Sequence, residues 1–336
     1  MSAGWFIIDT HSHFLPEEAI ARGIKDGFDL SRVSSKGSTR LKKMEDIEEL
    51  VLIMEKAGID MVVLNQAAWS QAGINVCKAL NDGYAAIGRR FPGKFILCGH
   101  TPLSEGKDVL DEIERCVSEL GFKAMSTVCS LPDIALDAPQ LWPMYEKIDK
   151  LNIPIVVHPP IGRSSRVREN KHNLFPTVFR EGDIAASVVE IMYGIFKDFP
   201  NLKFLMPHYG GGMPGQKARI RAWFEPEGWN VPDEIKHSPK TPKELDELGL
   251  SKAFDDLFDK LYFDMAGQGA GWLPMMKIAL STFRTDRICF GTDYPFDVHN
   301  AQDFEAFIDN IKSLNITEKE KRLILGENAK RLFNIK

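Results

Sequence analysis

The chain has 336 residues, 44% of them hydrophobic and 26% charged, with a formal net charge of -5, so nothing in its bulk charge points to a nucleic-acid partner or an anionic membrane surface. The length suits one large barrel domain, and no apolar run reaches the ~18 residues that a membrane span needs. The five cysteines, Cys77, Cys98, Cys116, Cys129 and Cys289, contain no Cys-x-x-Cys pair, and residues 1–5 lack a secretory pattern, so a reduced, cytoplasmic protein is expected.

In chain order, residues 5–9 read as a buried strand that runs into His11-Ser12-His13. The polar stretch 14–38 is too long for a strand-to-helix loop and is predicted to be an insertion that forms a lid. Residues 44–57 carry Met44, Ile47, Leu50, Val51 and Met54 at helical spacing, and Gly58 supplies the stop. A second strand covers 61–64, a helix 72–91, a third strand 95–99, a helix 109–120 that stops at Gly121, and a fourth strand 122–128. The helix 142–150 leads into a fifth strand, 153–157, which ends at His158. The helix 184–198 leads into a sixth, 202–207, which ends at His208. The polar, proline-containing stretch 225–259 is a second predicted insertion within a single domain, 1–336. A seventh strand covers 261–264, a helix 273–282, an eighth strand 287–292 ending at Asp293, and a closing helix 318–333.

Consecutive parallel strands need crossover helices, so this alternation predicts an α/β chain folded as a (β/α)8 TIM barrel with lid insertions after strands 1 and 6. An open doubly wound sheet is the alternative. It seldom brings residues from a first and an eighth strand to one point, whereas in a closed barrel those strands are neighbours.

Five residues, His11, His13, His158, His208 and Asp293, therefore stand at the C-terminal ends of strand-like runs, where barrel active sites are built. Side chains two apart on a strand share a face, so both imidazoles of His11-Ser12-His13 can turn toward the barrel interior as nitrogen donors to a divalent ion. Each residue has a plainer reading. The His-x-His triplet could lead into a helix, His158 could be a satisfied core residue, and Asp293 could cap the next helix. The run Gly210-Gly211-Gly212 after His208 lets backbone approach a ligand or bend sharply, and it lacks the Lys-Ser/Thr ending of a phosphate loop.

Several segments carry a family resemblance. They are Asp9-Thr10-His11-Ser12-His13, Val156-Val157-His158-Pro159, Pro207-His208-Tyr209-Gly210-Gly211, Phe290-Gly291-Thr292-Asp293-Tyr294-Pro295 and the closing Gly326-Glu327-Asn328-Ala329. The chain resembles the amidohydrolase superfamily, and within it the aminocarboxymuconate-semialdehyde decarboxylase-like branch. The resemblance implies one divalent metal ion on His11, His13, His158 and Asp293, with Zn²⁺ favoured and Mn²⁺ the alternative. It also implies that His208 is not a ligand but a catalytic base or polarising group. Strand four ends without the lysine that bridges two metals in binuclear relatives, and Lys123 lies at its start. Arg219 and Arg221, after the glycine run, are candidates to hold a substrate carboxylate, and the resemblance suggests that an arginine there reaches a neighbouring subunit. Of the aromatics Trp69, Trp223, Trp272, Phe14 and Phe296, only Trp272 is taken as a substrate wall, and His100 is a weaker contact candidate.

The resulting expectation is a metal-dependent, non-oxidative decarboxylase of an aromatic or unsaturated carboxylic acid, with Asp293 and His208 as catalytic residues. A hydrolase or hydratase on the same site and a non-catalytic metal-binding protein are the competing readings. The expected partner is a small-molecule carboxylic acid, and the expected assembly is a homodimer or homotetramer.

Overall fold

The computed structural model describes residues 4–28, 38–66, 69, 71–104, 106–131, 134–160, 178–224, 254–267 and 273–336. Eight parallel strands form one sheet: β1 (Ile8–Ser12), β2 (Met61–Leu64), β3 (Phe95–His100), β4 (Ala124–Val128), β5 (Ile155–His158), β6 (Phe204–Met206), β7 (Tyr262–Asp264) and β8 (Ile288–Cys289). They are hydrogen-bonded in sequence order, and the ring closes where the Thr10 and His13 N–H groups donate to the carbonyls of Phe290 and Tyr294, both at 2.9 Å. The expected (β/α)8 TIM barrel is the observed fold.

Alternation along the strands sorts their apolar side chains into two sets. Ile8, Val63, Ile96, Val156, Leu205 and Cys289 fill the barrel, which Leu332 and Phe333 of the last helix close at its base. Val62, Leu64, Val157, Phe204, Phe263 and Phe290 face outward onto the helices. Each such buried aliphatic or aromatic side chain contributes about 1.5–3 kcal/mol relative to an exposed one.

The helices follow the sequence pattern with four instructive differences. The first predicted insertion begins with a helix, α1 (Glu17–Lys25), whose entry is fastened to the barrel. The Tyr84 hydroxyl donates to the Phe14 carbonyl at 2.9 Å, and a Cβ at Gly83 would lie 2.4 Å from Pro16. The rest of that insertion, 29–37, and most of the second, 225–253, lie outside the described residues.

The helix expected over 44–57 is two: α2 (Thr39–Glu45) and α3 (Ile47–Ala57). Asp46 between them leaves the helical region and accepts the Glu49 N–H at 2.8 Å, capping the second helix. Gly58 ends α3 in the left-handed conformation expected of a stop. Between β3 and β4 runs α5 (Lys107–Ser118), after α4 (Ile74–Arg90), and α6 (Trp142–Leu151) precedes β5. Before β6 comes α7 (Arg180–Glu190), which continues through a wider turn, Ile191–Ile195, to Asp198.

The eighth strand is only two residues long, not the six expected; its ladder with β7 stops at Cys289, and the next N–H, of Phe290, donates instead to the Ile324 carbonyl at 2.9 Å. A helix that the sequence reading passed over, Ala301–Lys312, is capped by Asn300 and buries Phe304, Phe307, Ile308 and Ile311. Among the described residues no helix is long and apolar enough to cross a membrane.

Candidate metal centre

Strict alternation from the inward-facing Ile8 would send His11 and His13 out toward the helices. The register between β1 and β2 prevents this. Asp9 pairs with Val62 and Ser12 with Leu64, so one extra residue sits on β1. This bulge switches the face and turns both imidazoles into the barrel. Asp9 fixes the bulge: its carboxylate accepts the His11 and Thr292 N–H groups, both at 3.0 Å, and the hydroxyls of Ser12 at 2.7 Å and Thr292 at 2.6 Å.

Each of the three histidines at the centre is held from behind through Nδ1. His11 Nδ1 lies 2.7 Å from Asp264 Oδ2, His13 Nδ1 2.8 Å from the Asn65 carbonyl, and His158 Nδ1 2.8 Å from the Pro159 carbonyl. Carbonyl and carboxylate oxygens only accept, so each Nδ1 carries the proton and each Nε2 can present its lone pair inward. His11 Nε2 and His158 Nε2 are buried without a hydrogen-bond partner.

Asp293 Oδ1 is 2.9 Å from His13 Nε2 and 3.6 Å from His11 Nε2. Donor atoms of His11, His13, His158 and Asp293 all lie within 4.8 Å of one another. Donors about 2.0–2.1 Å from a tetrahedral ion stand roughly 3.4 Å apart. The separations of 2.9 and 3.6 Å fall on either side of that edge, so the four residues fit one divalent ion. Lys123 is exposed at the opposite end of β4.

His208 is built in differently. It begins a left-handed turn, with φ of 53° at His208 and Tyr209 and 69–76° at Gly210, Gly211 and Gly212. Its N–H donates to Asp264 Oδ1 at 2.9 Å, and its Nδ1 lies 2.9 Å from Glu181 Oε1. Its Nε2 has no hydrogen-bond partner and stands 3.9 Å from Asp293 Oδ2. Asp293 therefore turns one oxygen to the histidine cluster and the other toward His208. It too has a positive φ, 53°, the kind of backbone strain that a folded scaffold holds at functional positions.

The electrostatics are those of a site that attracts a cation. Burial lowers the affinity of His11 for a proton, but Asp264, Asp293 and Asp9 outweigh it and raise the pKa to about 9. Burial works against the Asp293 carboxylate, yet His13, His11 and His208 hold it well below the usual carboxylate range. His158 is pushed far below the ordinary histidine value, first by burial and then by electrostatic repulsion from His13, His11 and Arg180.

For chelator-treated protein the sign follows. Because the folded-state pKa of His11 is raised, its contribution to stability is complete below the unfolded value of 6.5 and is lost as the pH rises through about 9. The melting temperature of chelated protein is expected to fall across that window. Since an ion must displace that proton, apparent metal affinity is expected to rise over the same interval. Calorimetry with and without added metal from pH 6 to 9.5 measures both, and a chelated protein whose melting temperature is flat over that range would contradict the assignment.

Other sequence candidates fare unevenly. His100 is fully buried and accepts the Gln66 N–H at 2.9 Å through Nε2, and burial pushes its pKa down to about 3, so it is a neutral structural imidazole. Phe296 packs its ring edge-on to His13, centroids 5.4 Å apart, whereas Phe14 packs on Tyr84 and Trp69 on Phe28. Arg219 and Arg221 are exposed on the helix that follows the glycine turn, and Arg221 pairs with Asp255 at 3.0 Å. Trp272 and the side chain of Trp223 lie outside the described residues.

The sequence reading missed Asp264, Glu181, Asn65 and Arg180. Asp264 had a signal, a carboxylate ending strand seven as Asp293 follows strand eight. Arg180, whose Nε is enclosed without a hydrogen-bond partner, is a cation felt at His158 that no motif announced.

The family model described as Amidohydrolase matches residues 8–335. The chain belongs to the amidohydrolase family. Among characterised amidohydrolases it is similar to gamma-resorcylate decarboxylase of Rhizobium sp. (strain MTP-10005), 26% identical over 88% of this chain and 86% of that one. It is also similar to the 2-amino-3-carboxymuconate-6-semialdehyde decarboxylase of Dictyostelium discoideum, 26% identical over 80% of this chain and 69% of that one. A third relative is the 2-keto-4-carboxy-3-hexenedioate hydratase of Sphingobium sp., 25% identical over 97% and 96%. Among solved structures, the dihydroxybenzoic acid decarboxylase from Polaromonas sp. JS666, with bound manganese and the inhibitor 2-nitroresorcinol, superposes with a TM-score of 0.77 at 25% identity, covering 99% of this chain and 98% of that one. These relatives fit the aminocarboxymuconate-semialdehyde decarboxylase-like branch of the amidohydrolases.

Proposed function

We propose that this amidohydrolase is a metal-dependent, non-oxidative decarboxylase of an aromatic or unsaturated carboxylic acid. The observation that carries the reading is the convergence of three buried imidazoles and Asp293 at the rim of a barrel whose relatives include several decarboxylases. His11, His13, His158 and Asp293 would hold the ion. When bound, a divalent ion polarises substrate oxygens and stabilises the negative charge that develops on them.

The remaining work falls to the chain. Replacing a carboxylate by hydrogen forms a C–H bond at the carbon that bears it. The C–C bond then breaks, and its electron pair restores the unsaturated system as carbon dioxide leaves. Asp293 is ionised at rest, so in this reading it accepts a proton from a substrate hydroxyl and passes it to that carbon. His208, 3.9 Å from Asp293 Oδ2, is the second proton-handling group. Phe296 beside His13 gives a flat substrate an aromatic neighbour.

Among the described residues, Arg180, whose charge acts on His158, is the candidate within one chain to meet the substrate's carboxylate. Arg219 or Arg221, exposed here, would serve a neighbouring subunit of a homodimer or homotetramer, with Trp272 as a further wall. Three imidazoles and a carboxylate suit Zn²⁺, and the manganese in the Polaromonas relative supports Mn²⁺. Five buried, free cysteines accord with a reduced, cytoplasmic setting.

The hydratase relative favours a second reading, addition of water to an unsaturated dicarboxylic acid at the same centre. Metal-loaded protein incubated with hydroxybenzoates, unsaturated dicarboxylates and their lactones separates the two by mass spectrometry. Loss of carbon dioxide is the expected product change. Gain of water without such loss would overturn the decarboxylase reading in favour of the hydratase.

A further inference from the structure

We propose that Glu181 is the positioning residue for His208, locking its ring in one tautomer and one orientation so that Nε2 faces Asp293 and the substrate. The inference rests on the reading of His208 as a proton-handling group. Glu181 Oε1 lies 2.9 Å from His208 Nδ1, and since a carboxylate only accepts, the proton sits on Nδ1. The second oxygen, Oε2, is enclosed with no hydrogen-bond partner.

A side chain only 25% exposed that meets an imidazole through one oxygen and leaves the other without a partner is a poor stabilising device. An apolar residue at the head of α7 would serve the fold better. Function is the more economical account of the carboxylate.

The glycine turn supports the same account. A Cβ on Gly211 would lie 2.1 Å from the Glu181 carbonyl oxygen and 2.7 Å from the Ala185 nitrogen, so only glycine lets α7 come this close. A Cβ on Gly267 would lie 2.5 Å from His208 Cγ, so the ring is backed by bare backbone on that side. With Glu181 at Nδ1 and Gly267 behind, the ring has one seat. The glycines after His208 thus bring a carboxylate from the preceding helix to the ring, a purpose that their local sequence does not reveal.

The test uses full-length, Zn²⁺-loaded protein with ¹⁵N-labelled histidine, the His208 signals being assigned by their loss in His208→Gln. Wild type is expected to show the Nδ1–H tautomer. Glu181→Leu is expected to show a mixture of tautomers, unchanged metal content, and a kcat lower by about 10–100-fold with KM within about threefold. Glu181→Gln still offers an acceptor oxygen and is expected to recover the tautomer and most of the rate. Glu181→Asp, which withdraws the carboxylate by one methylene, is expected to behave as Glu181→Leu does and stands in for it if that variant does not fold. A wild-type tautomer, or an unchanged kcat, in both Glu181→Leu and Glu181→Asp would overturn the proposal. If wild type decarboxylates nothing, the functional reading fails, and the nitrogen shifts alone still decide whether Glu181 sets the ring.

Discussion

His208→Ala is expected to retain one divalent ion per chain and to lose about 10²–10⁴ in kcat, the usual worth of a positioned proton-transfer group. The expectation comes from where the ring is tied. Its Nδ1 is directed to Glu181 and its Nε2 stands 3.9 Å from the far oxygen of Asp293, while the near oxygen belongs to the histidine cluster. Removing the ring therefore leaves the four converging donors and their supports in place. Metal analysis beside steady-state kinetics makes the comparison. A variant that emptied the site would make His208 a ligand, and one that kept full activity would remove it from the chemistry.

Asp264→Ala should have the larger effect on the protein as a whole. One carboxylate accepts from His11 Nδ1 at 2.7 Å, the His208 N–H at 2.9 Å and the Ala266 N–H at 3.0 Å. All three donors are buried, and leaving a buried donor unpaired costs about 1–3 kcal/mol each, so a loss of roughly 3–9 kcal/mol is expected. His11 would also lose the bond that sets its tautomer, which is expected to weaken metal binding by about 10–100-fold.

Asp264→Asn separates the two effects. The amide oxygen can keep the two backbone donors, but its NH₂ would face His11 Nδ1 and drive the imidazole toward the wrong tautomer. The Asn variant is expected to fold with modest loss and bind metal weakly. Denaturant midpoints with metal titrations test this, and an Asn variant with wild-type affinity would refute the role given to Asp264.

The sequence showed the barrel because its strands are nearly continuous apolar runs with helical periods between them, and both patterns are local. It also showed which residues end the strands at the rim, since every ligand candidate follows an apolar run. It could not show that His11 and His13 face inward, because the bulge that turns them is made by Asp9 pairing with Thr292 across the barrel closure. Nor could it show Glu181 or Asp264 as partners, for these meet His208 and His11 across separations of 27 and 253 residues. Arg219 and Arg221 stand out in the sequence only by following the glycine run, and in the fold that helix turns them to the surface while the charge of Arg180, on the preceding helix, acts on His158. The split at Asp46 and the helix Ala301–Lys312 were written in local capping and periodic signals and were open to a closer reading.

The most direct test of the metal centre is an anomalous difference map from a crystal grown with Mn²⁺ or Zn²⁺. One peak per chain is predicted, within bonding distance of His11 Nε2, His13 Nε2, His158 Nε2 and an Asp293 oxygen, with His208 outside that shell. No peak there, two peaks, or a peak bonded to His208 would contradict a single-ion centre of this composition.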